Sequence, residues 1–381
     1  MSHGDTVIKP PEGFDLVAHS ETITSAAMQN VKKKIYGVQF HPEVEHTEFG
    51  NIILKNFLEK VCGLKPANTQ FKFKDIVETV REEIGTKYAI AAVSGGLDST
   101  VAATLVATAV GKNLIPIHVD SGLMRKGTTD LVKKYFTKLG VKPVILYKQK
   151  EFLNALKGIT DPEQKRKIIG KLYIDLFNQE CKKYKDVEFL VQGTIYSDVI
   201  ESQGSKHSAN IKSHHNVGGL PKDMKLALIE PIRQLYTDQV RSLAKTIKIP
   251  EEFISQQPHP GPGYAIRIVG EVNEDRLNLV QKADEIVISE MKKAGLYKKV
   301  LHSFAVATGT SSTSVKGDGR VYGEVIAVRI VSSRDRMTAD WTKVPYEVLQ
   351  KISSRITNEI SGVSRVVYDI TTKPPATIEW E

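Results

Sequence analysis

The chain has 381 residues, of which 53 are basic and 44 acidic, and its formal net charge is +9 at pH 7. Hydrophobic residues make up 41% and charged residues 25%, a balance that indicates a folded protein of two or three domains and excludes a disordered or collagen-like chain. The most apolar stretch, 101–110, is far shorter than the ~20 residues of a membrane span. The first residues show no secretory signal, so the sequence favours a cytoplasmic protein.

The cysteine content and the charge restrict the function classes only in part. Two cysteines, Cys62 and Cys181, are too few for a disulfide framework, and neither stands in a C-x-x-C pair, which argues against structural zinc. The positive charge favours an anionic partner such as nucleotide phosphates or RNA. Lysine runs such as 32–34 are nevertheless typical of solvated faces, and no basic block alternates with aromatic residues as RNA-binding surfaces do.

The first 62 residues contain a strand pattern over 35–40, a turn at 41–43 and a helical pattern over 49–61, too little for an independent α/β domain. From residue 87 strands alternate with helices. The predicted strands are 88–93, 114–119, 144–147 and 189–191, and the predicted helices are 99–110 and 128–139. This alternation predicts a parallel sheet covered on both faces, with a ligand crevice where the loops at Ser94, Asp120 and Gln192 converge.

The segment His259-Pro260-Gly261-Pro262-Gly263 predicts a boundary, because proline removes backbone donors and glycine resists ordering. The elements predicted beyond it are a strand over 265–269, a long helix capped by Asn273, strands near 304 and over 325–331, and a helix from Pro345. They indicate an α+β module. We therefore expect three domains: 1–64, 65–258 and 259–381.

The most informative motif is Ser94-Gly95-Gly96-Leu97-Asp98-Ser99-Thr100, between a predicted strand and a helix N-terminus. Its glycines let the backbone approach an anion, and the hydroxyls of Ser94, Ser99 and Thr100 add donors. The lysine of the usual P-loop is missing. Asp98 would repel phosphate unless a divalent cation bridges them, so we interpret it as a Mg²⁺ ligand. The alternative is a tight strand-to-helix turn with serine caps.

This motif resembles the S-G-G-x-D-S signature of the N-type ATP pyrophosphatases, which cleave ATP between the α- and β-phosphates. Essentially the whole chain resembles the GMP synthetase family, through segments that occur in the family's order: 115–127, 161–170, 192–202, 211–221, 259–263 and 373–381. The most specific are K-S-H-H-N from Lys212 and the closing K-P-P-A-T-I-E-W-E. The resemblance implies a parallel-sheet α/β domain of the adenine nucleotide α-hydrolase type, followed by an α+β dimerisation domain.

The resemblance also implies a reaction. ATP adenylylates xanthosine 5′-monophosphate (XMP) with Mg²⁺, pyrophosphate leaves, and ammonia displaces AMP to give GMP, in a homodimer with no membrane or nucleic-acid partner. It implies ATP contacts along Ser94–Thr100 and catalytic roles for Asp98 and Lys212. The residues implied to bind XMP are Arg166, His302, Lys373, Ile378 and Glu379, with Lys373 on the phosphate and Glu379 accepting from the ribose or base.

The segment around His41 and Glu43 resembles the end of a class I glutamine amidotransferase domain, in which these residues are the base and its orienting group. Neither cysteine follows the strand–turn–helix pattern of the nucleophile, and Met1 matches an interior position of that domain. We therefore expect ammonia-dependent synthesis and no glutaminase activity from this chain.

Three positions depart from the family pattern and bear on the XMP site. Ser311 and Ser314 stand in a segment where the family usually has proline, arginine and glycine, and His302 stands where glutamine is commoner. Two other interpretations stay open: a tRNA-modifying ATP pyrophosphatase, which usually needs catalytic cysteines, and a homologue that binds nucleotide without turnover.

Overall fold

The structure is a computed structural model that describes residues 5–43, 47–65, 72–184, 186–203, 226–333 and 338–381, with the backbone alone at 200–203 and 316. The chain forms two compact units. The first contains described residues of 1–69, 330–343 and 370–378, and the second contains those of 70–329, 344–369 and 379–381. Among these residues no helix is both long enough and apolar enough to cross a membrane.

The first unit begins with a three-stranded antiparallel sheet in the order β1-β2-β3. Its strands are β1 (Asp15–Ala18), β2 (Ala27–Asn30) and β3 (Ile35–Val38). Helix α1 (Gly50–Asn56) follows and continues as a π-helical segment, Phe57–Val61. The Tyr36 and Phe57 rings meet edge to face with centroids 5.8 Å apart. The strand and helix predicted in this region are confirmed.

The second unit is built on five parallel strands in the order β6-β5-β4-β7-β8. They are β4 (Tyr88–Ala92), β5 (Leu114–Asp120), β6 (Val144–Tyr147), β7 (Val187–Val191) and β8 (Ala227–Ile229). Ala89, Ile90 and Ala91 in the central strand are almost completely buried, as expected for a sheet covered on both faces. The predicted parallel α/β sheet is confirmed. Strand order reverses at β4, which is where ligands bind in open sheets of this kind.

Helices connect these strands. They are α2 (Phe73–Ile84), α3 (Leu97–Val110), α4 (Thr128–Lys138), α5 (Gln149–Ala155), α6 (Pro162–Cys181), α7 (Tyr196–Gln203), α8 (Thr237–Thr246) and α9 (Glu251–Ile254). Helix α3 begins two residues before the predicted start, and every residue from Thr100 to Ala107 is buried. Its small and apolar composition therefore reflects packing on nearly all sides.

The C-terminal part of the second unit contains α10 (Glu274–Lys293), β9 (His302–Lys316), β10 (Gly319–Ser332), α11 (Tyr346–Glu359) and β12 (Val363–Tyr368). Strand β10 pairs with β9, runs parallel to β12, and ends within the first unit, where it pairs with β11 (Asp340–Trp341). The Asn273 side chain accepts a hydrogen bond from Arg276 N at 2.9 Å, so the predicted cap of α10 is confirmed.

The strand predicted over 265–269 is wrong. Residues Gly263–Arg267 form a 3₁₀ helix that follows Pro262, and only Ile268 makes a β-bridge, to Ala307. A Cβ at Gly263 would lie 2.1 Å from the carbonyl oxygen of Leu123, in the loop after β5. The run is apolar because it is packed against that loop and α10, and this burial resembles a buried strand in sequence.

Candidate functional site

The turn between β4 and α3 lies at the carboxyl end of the central strand. Gly95 has φ +89°, and a Cβ there would lie 2.4 Å from Thr128 Cγ2 at the start of α4, so the turn requires glycine. Gly96 is the N-cap of α3 and has no side chain with which to cap the helix. Backbone N–H groups at a helix N-terminus are a common protein site for phosphate.

The hydroxyl groups of the turn divide into two kinds. Ser94 Oγ and Ser99 Oγ lie 3.0 Å apart, and Ser94 Oγ accepts from Gly96 N at 3.2 Å. Thr100 is completely buried and donates its hydroxyl proton to Gly96 O at 2.8 Å. Ser99 Oγ also donates to Gly96 O, at 3.2 Å, but Ser94 is exposed and Ser99 is half-buried, so these two hydroxyls, unlike that of Thr100, lie at the surface of the turn.

The loop after β7 contacts the same turn. A Cβ at Gly193 would lie 2.7 Å from Ser99 N and 2.8 Å from the carbonyl carbon of Asp98, so this glycine rests directly on the backbone of the first turn of α3. Neighbouring Gln192 donates its backbone N–H to Ile229 O at 3.0 Å, which fixes the loop to β8. The predicted convergence of the loops at Ser94 and Gln192 is confirmed.

Strand β5 supports the turn through His118. The His118 Nδ1 atom lies 2.7 Å from Val93 O, and Nε2 lies 3.1 Å from Thr129 Oγ1. A carbonyl oxygen only accepts, so Nδ1 carries the proton and Nε2 accepts from the threonine. Burial lowers the pKa of His118, which favours this neutral form. The backbone immediately before Ser94 is thereby tied to the neighbouring strand and to α4.

Asp98 in the first turn of α3 was interpreted as a Mg²⁺ ligand. The described residues contain no group of three or more His, Cys, Asp or Glu side chains that holds a metal by itself. Mg²⁺ is commonly bound through one or two carboxylates together with substrate phosphates. One carboxylate in the first turn of a helix whose N-cap is glycine fits a cation that a nucleotide brings with it.

A second set of polar residues lies around Arg267, at the end of the 3₁₀ helix. Its Nε and Nη2 atoms donate to the two carboxylate oxygens of Glu379 at 3.0 and 2.9 Å, and Nη2 lies 3.0 Å from His302 Nε2. Burial alone would lower the pKa of Arg267, but Glu379 and Asp284 outweigh it and raise the pKa. Glu379 and His302, both expected at the XMP site, are therefore brought together by a residue that the sequence reasoning missed. The available signal was one arginine inside the apolar run 264–269.

The other residues expected to bind XMP are placed as follows. Arg166, on α6, donates through Nη2 to the main-chain oxygen of Glu381. Lys373 and Ile378 belong to the first unit, in which the main chain of Lys373 forms an antiparallel bridge with Ala339. Lys212, together with the segment 211–221, lies outside the described residues.

His41 and Glu43, the residues that resemble part of an amidotransferase site, contact each other. His41 Nδ1 lies 2.6 Å from Glu43 Oε1, the contact expected of a base and its orienting carboxylate, and both side chains are about half exposed. Cys62 is exposed beyond the π-helical segment, and Cys181 is buried at the end of α6. Burial, with a further contribution from Glu180, raises the pKa of Cys181 to about 12, so its thiolate is disfavoured.

The segment that departs from the family pattern is part of strand β9. Ser311 is exposed, and Ser314 Oγ lies 3.5 Å from Val321 O on the paired strand β10. Gly309, with φ +74°, donates its backbone N–H to Glu324 Oε1 at 2.9 Å. The Glu324 side chain thus links strands β10 and β9, and this link needs an N–H group at position 309.

Comparisons with known proteins agree with this arrangement. Residues 1–61 match the family described as glutamine amidotransferase class-I, and residues 289–380 match the GMP synthase C terminal domain. The glutamine-hydrolyzing GMP synthases of Clostridium acetobutylicum and Lactobacillus acidophilus are each 52% identical over 383 residues. These alignments cover 100% of this chain and 75% and 74% of the relatives.

Two solved structures also resemble the chain. They are NMN synthetase from Francisella tularensis, with TM-score 0.40 and 14% identity, and NH3-dependent NAD synthetase from Campylobacter jejuni, with TM-score 0.38 and 15% identity. Each match covers 59% of this chain, and 87% and 88% of those chains respectively.

The parallel sheet, with a glycine turn at its switch point, defines an α/β protein. From its identity to relatives along its whole length, the chain belongs to the GMP synthase family, and it spans about three-quarters of the length of the curated relatives that it matches.

Proposed function

We propose that this chain is a ligase that converts XMP, ATP and ammonia into GMP, AMP and pyrophosphate. The xanthine 2-oxygen attacks the α-phosphorus of ATP and pyrophosphate leaves. Ammonia then adds at carbon 2 and AMP departs with the oxygen. The observation that carries the proposal is the glycine turn Ser94–Thr100 at the N-terminus of α3, in a chain 52% identical to GMP synthases.

In this proposal the turn binds the ATP phosphates. The backbone at Gly95 and Gly96 approaches them, the Ser94 and Ser99 hydroxyls donate to them, and the fixed geometry avoids reorganisation during reaction. Asp98 would hold Mg²⁺, which when bound offsets charge on the departing pyrophosphate. Lys212 keeps its proposed role at the ATP phosphates. Alignment of two bound nucleotides supplies about 7–11 kcal/mol toward the barrier.

Arg166, His302, Lys373, Ile378 and Glu379 are proposed to bind XMP. Glu379 supports this assignment because its carboxylate, paired with a guanidinium, is an acceptor suited to substrate N–H or O–H groups. We also propose the domains 1–64, 65–258 and 259–381, a homodimer and a cytoplasmic location, all of which follow from the family resemblance.

The proposal also specifies the nitrogen source, which is ammonia. We expect the isolated chain to form GMP with ammonium salt and not with glutamine, because neither cysteine stands on a strand–turn–helix elbow: Cys62 follows a π-helical segment and Cys181 ends α6. The experiment measures GMP, AMP and pyrophosphate with each nitrogen source. Asp98→Asn should lower the formation of all three products about 100-fold, while Asp130→Asn, at an exposed position on α4, should leave it unchanged.

Absence of XMP-dependent AMP formation in the folded wild-type chain would reject the ligase assignment in favour of a homologue that binds nucleotide without turnover. GMP formation with glutamine alone would reject the ammonia-dependent reading.

A further inference from the structure

Three basic side chains are completely buried among the described residues: Lys165, Arg267 and Arg329. They stand on different elements, namely α6, the 3₁₀ helix after Pro262 and strand β10. All three hold residues 379–381 in place. Two of them bind a residue of this segment directly, and the third acts through one intervening carboxylate.

Arg267 anchors Glu379. Arg267 donates two parallel hydrogen bonds to the Glu379 carboxylate, from Nε to Oε2 at 3.0 Å and from Nη2 to Oε1 at 2.9 Å. A planar guanidinium that binds both oxygens fixes the direction of the carboxylate as well as its charge. The Phe304 ring lies under the guanidinium, with its centroid 4.2 Å from the Arg267 Cζ atom, so Arg267 itself is held on its face.

Lys165 anchors Glu381. Its ammonium donates to a Glu381 carboxylate oxygen, to Ile268 O at 2.7 Å and to Ala265 O at 3.2 Å, which uses its three protons. The other carboxylate oxygen of Glu381 accepts from Gly270 N at 3.2 Å. The side chain of Glu381 is therefore fixed at both oxygens.

Arg329 anchors Trp380 through Asp369. Arg329 Nη1 donates to Asp369 Oδ2 at 2.7 Å, and Trp380 Nε1 donates to the same oxygen at 2.9 Å. With Arg267 and Lys165 this makes three consecutive residues held by separate buried charges. Removing one partner of a buried pair leaves an uncompensated charge, so undocking this tail destabilises the second unit.

We propose that Arg267 is a positioning residue for XMP, which acts by orienting the Glu379 carboxylate while the anchors of Trp380 and Glu381 keep the tail docked. The inference rests on the proposed function, in which Glu379 accepts from the ribose or base. Arg267 donates to both carboxylate oxygens, and because a carboxylate has about four lone-pair sites, these two bonds fix its direction without excluding a substrate donor. Its role is geometric, and lysine cannot replace it, because an ammonium does not bind two oxygens in one plane.

The test compares Arg267→Lys, Glu379→Gln and the double variant in the full chain, with XMP varied at saturating ATP and ammonium. We expect Arg267→Lys to raise KM for XMP about tenfold and to leave kcat and KM for ATP within about twofold. The double variant should match Glu379→Gln alone, because a residue that acts only through Glu379 adds nothing once Glu379 is changed. Arg355→Lys, which also breaks a two-pronged pair, with Glu359, is the matched control and should leave KM for XMP unchanged.

An unchanged KM for XMP in Arg267→Lys, or a loss confined to kcat, overturns the inference while wild-type turnover keeps the proposed function. If Arg267→Lys does not fold, Arg267→Gln combined with Glu379→Gln removes both charges together, and it should have the KM of Glu379→Gln alone. A higher KM in that double variant also overturns the inference. The response of Trp380 fluorescence to XMP is measured in Trp341→Phe. If the folded wild-type chain does not turn over XMP and XMP does not change this fluorescence, both the function and the inference are rejected.

Discussion

A methyl group at position 193 would lie 2.9 Å from the carbonyl oxygen of Asp98, although the two residues come from different strand-to-helix loops. The loop after β7 is thus seated directly on the first turn of α3. The residue proposed to hold Mg²⁺ therefore depends for its position on a neighbouring loop as well as on its own helix.

The first test is Gly193→Ala. The added methyl would also lie 2.7 Å from Ser99 N, so either the loop or the start of α3 must shift. We expect a loss of about 1–3 kcal/mol in the free energy of unfolding and a KM for ATP at least several times higher, measured by denaturant titration and steady-state kinetics. Gly261→Ala is the control, because a Cβ there meets no atom within 4 Å. Equal KM values for the two variants would show that the contact does not position the turn.

The second test is Asp98→Asn. The amide keeps the shape of the side chain but loses the charge that attracts a divalent cation. We expect kcat to fall about 100-fold, the scale of losing one electrostatic group from an active site, and the Mg²⁺ concentration for half-maximal rate to rise. AMP formation from XMP measured across a Mg²⁺ series checks both. A lower rate with an unchanged Mg²⁺ requirement would assign Asp98 a role other than metal binding.

The third test concerns pH. The ordinary pKa of histidine, 6.5, is lowered for His118 by burial. Above that value both the folded and the unfolded chain hold the ring neutral. As the pH falls below 6.5 the unfolded chain binds the proton first, so the free energy of unfolding decreases until the lowered pKa of the folded state is reached.

His118→Asn separates this contribution from the others, because an amide can donate to Val93 O without titrating. Between pH 6.5 and about 5 we expect the thermal unfolding midpoint of the variant to fall less than that of the wild type. His19→Asn, at an exposed position of the first unit, is the control. Identical pH slopes for His118→Asn and the wild type would contradict the assignment.

The fourth test is Gly309→Pro, in the strand β9 that also contains Ser311 and Ser314. Proline removes the N–H that Glu324 accepts and cannot adopt φ +74°. Loss of a hydrogen bond to a charged group costs about 2 kcal/mol, so we expect at least that loss in the free energy of unfolding, measured by urea titration. In Glu324→Gln the same proline should cost less, because the partner is then neutral. An equal cost in both backgrounds would mean that the charge of Glu324 contributes nothing to this contact.

Much of the local structure at the candidate site was predictable because its pattern is local. The turn Ser94–Thr100, the start of α4 and the Asn273 cap are each defined by residues within a few positions of one another. The strand over 265–269 was wrong because burial in a 3₁₀ segment and burial in a strand produce the same apolar run. The role of Thr100 also depended on the fold, since only its buried position shows that its hydroxyl serves Gly96.

By itself, the sequence determined the alternating strands and helices, the phosphate-type turn and the family resemblance, since periodicity, caps and glycine turns act between neighbours in the chain. Only the tertiary structure decided which charges meet. Arg267 and Glu379 are 112 positions apart and Lys165 and Glu381 are 216 apart. Nothing local selects such partners, because a buried cation is stabilised by whichever carboxylate the folded chain brings to it.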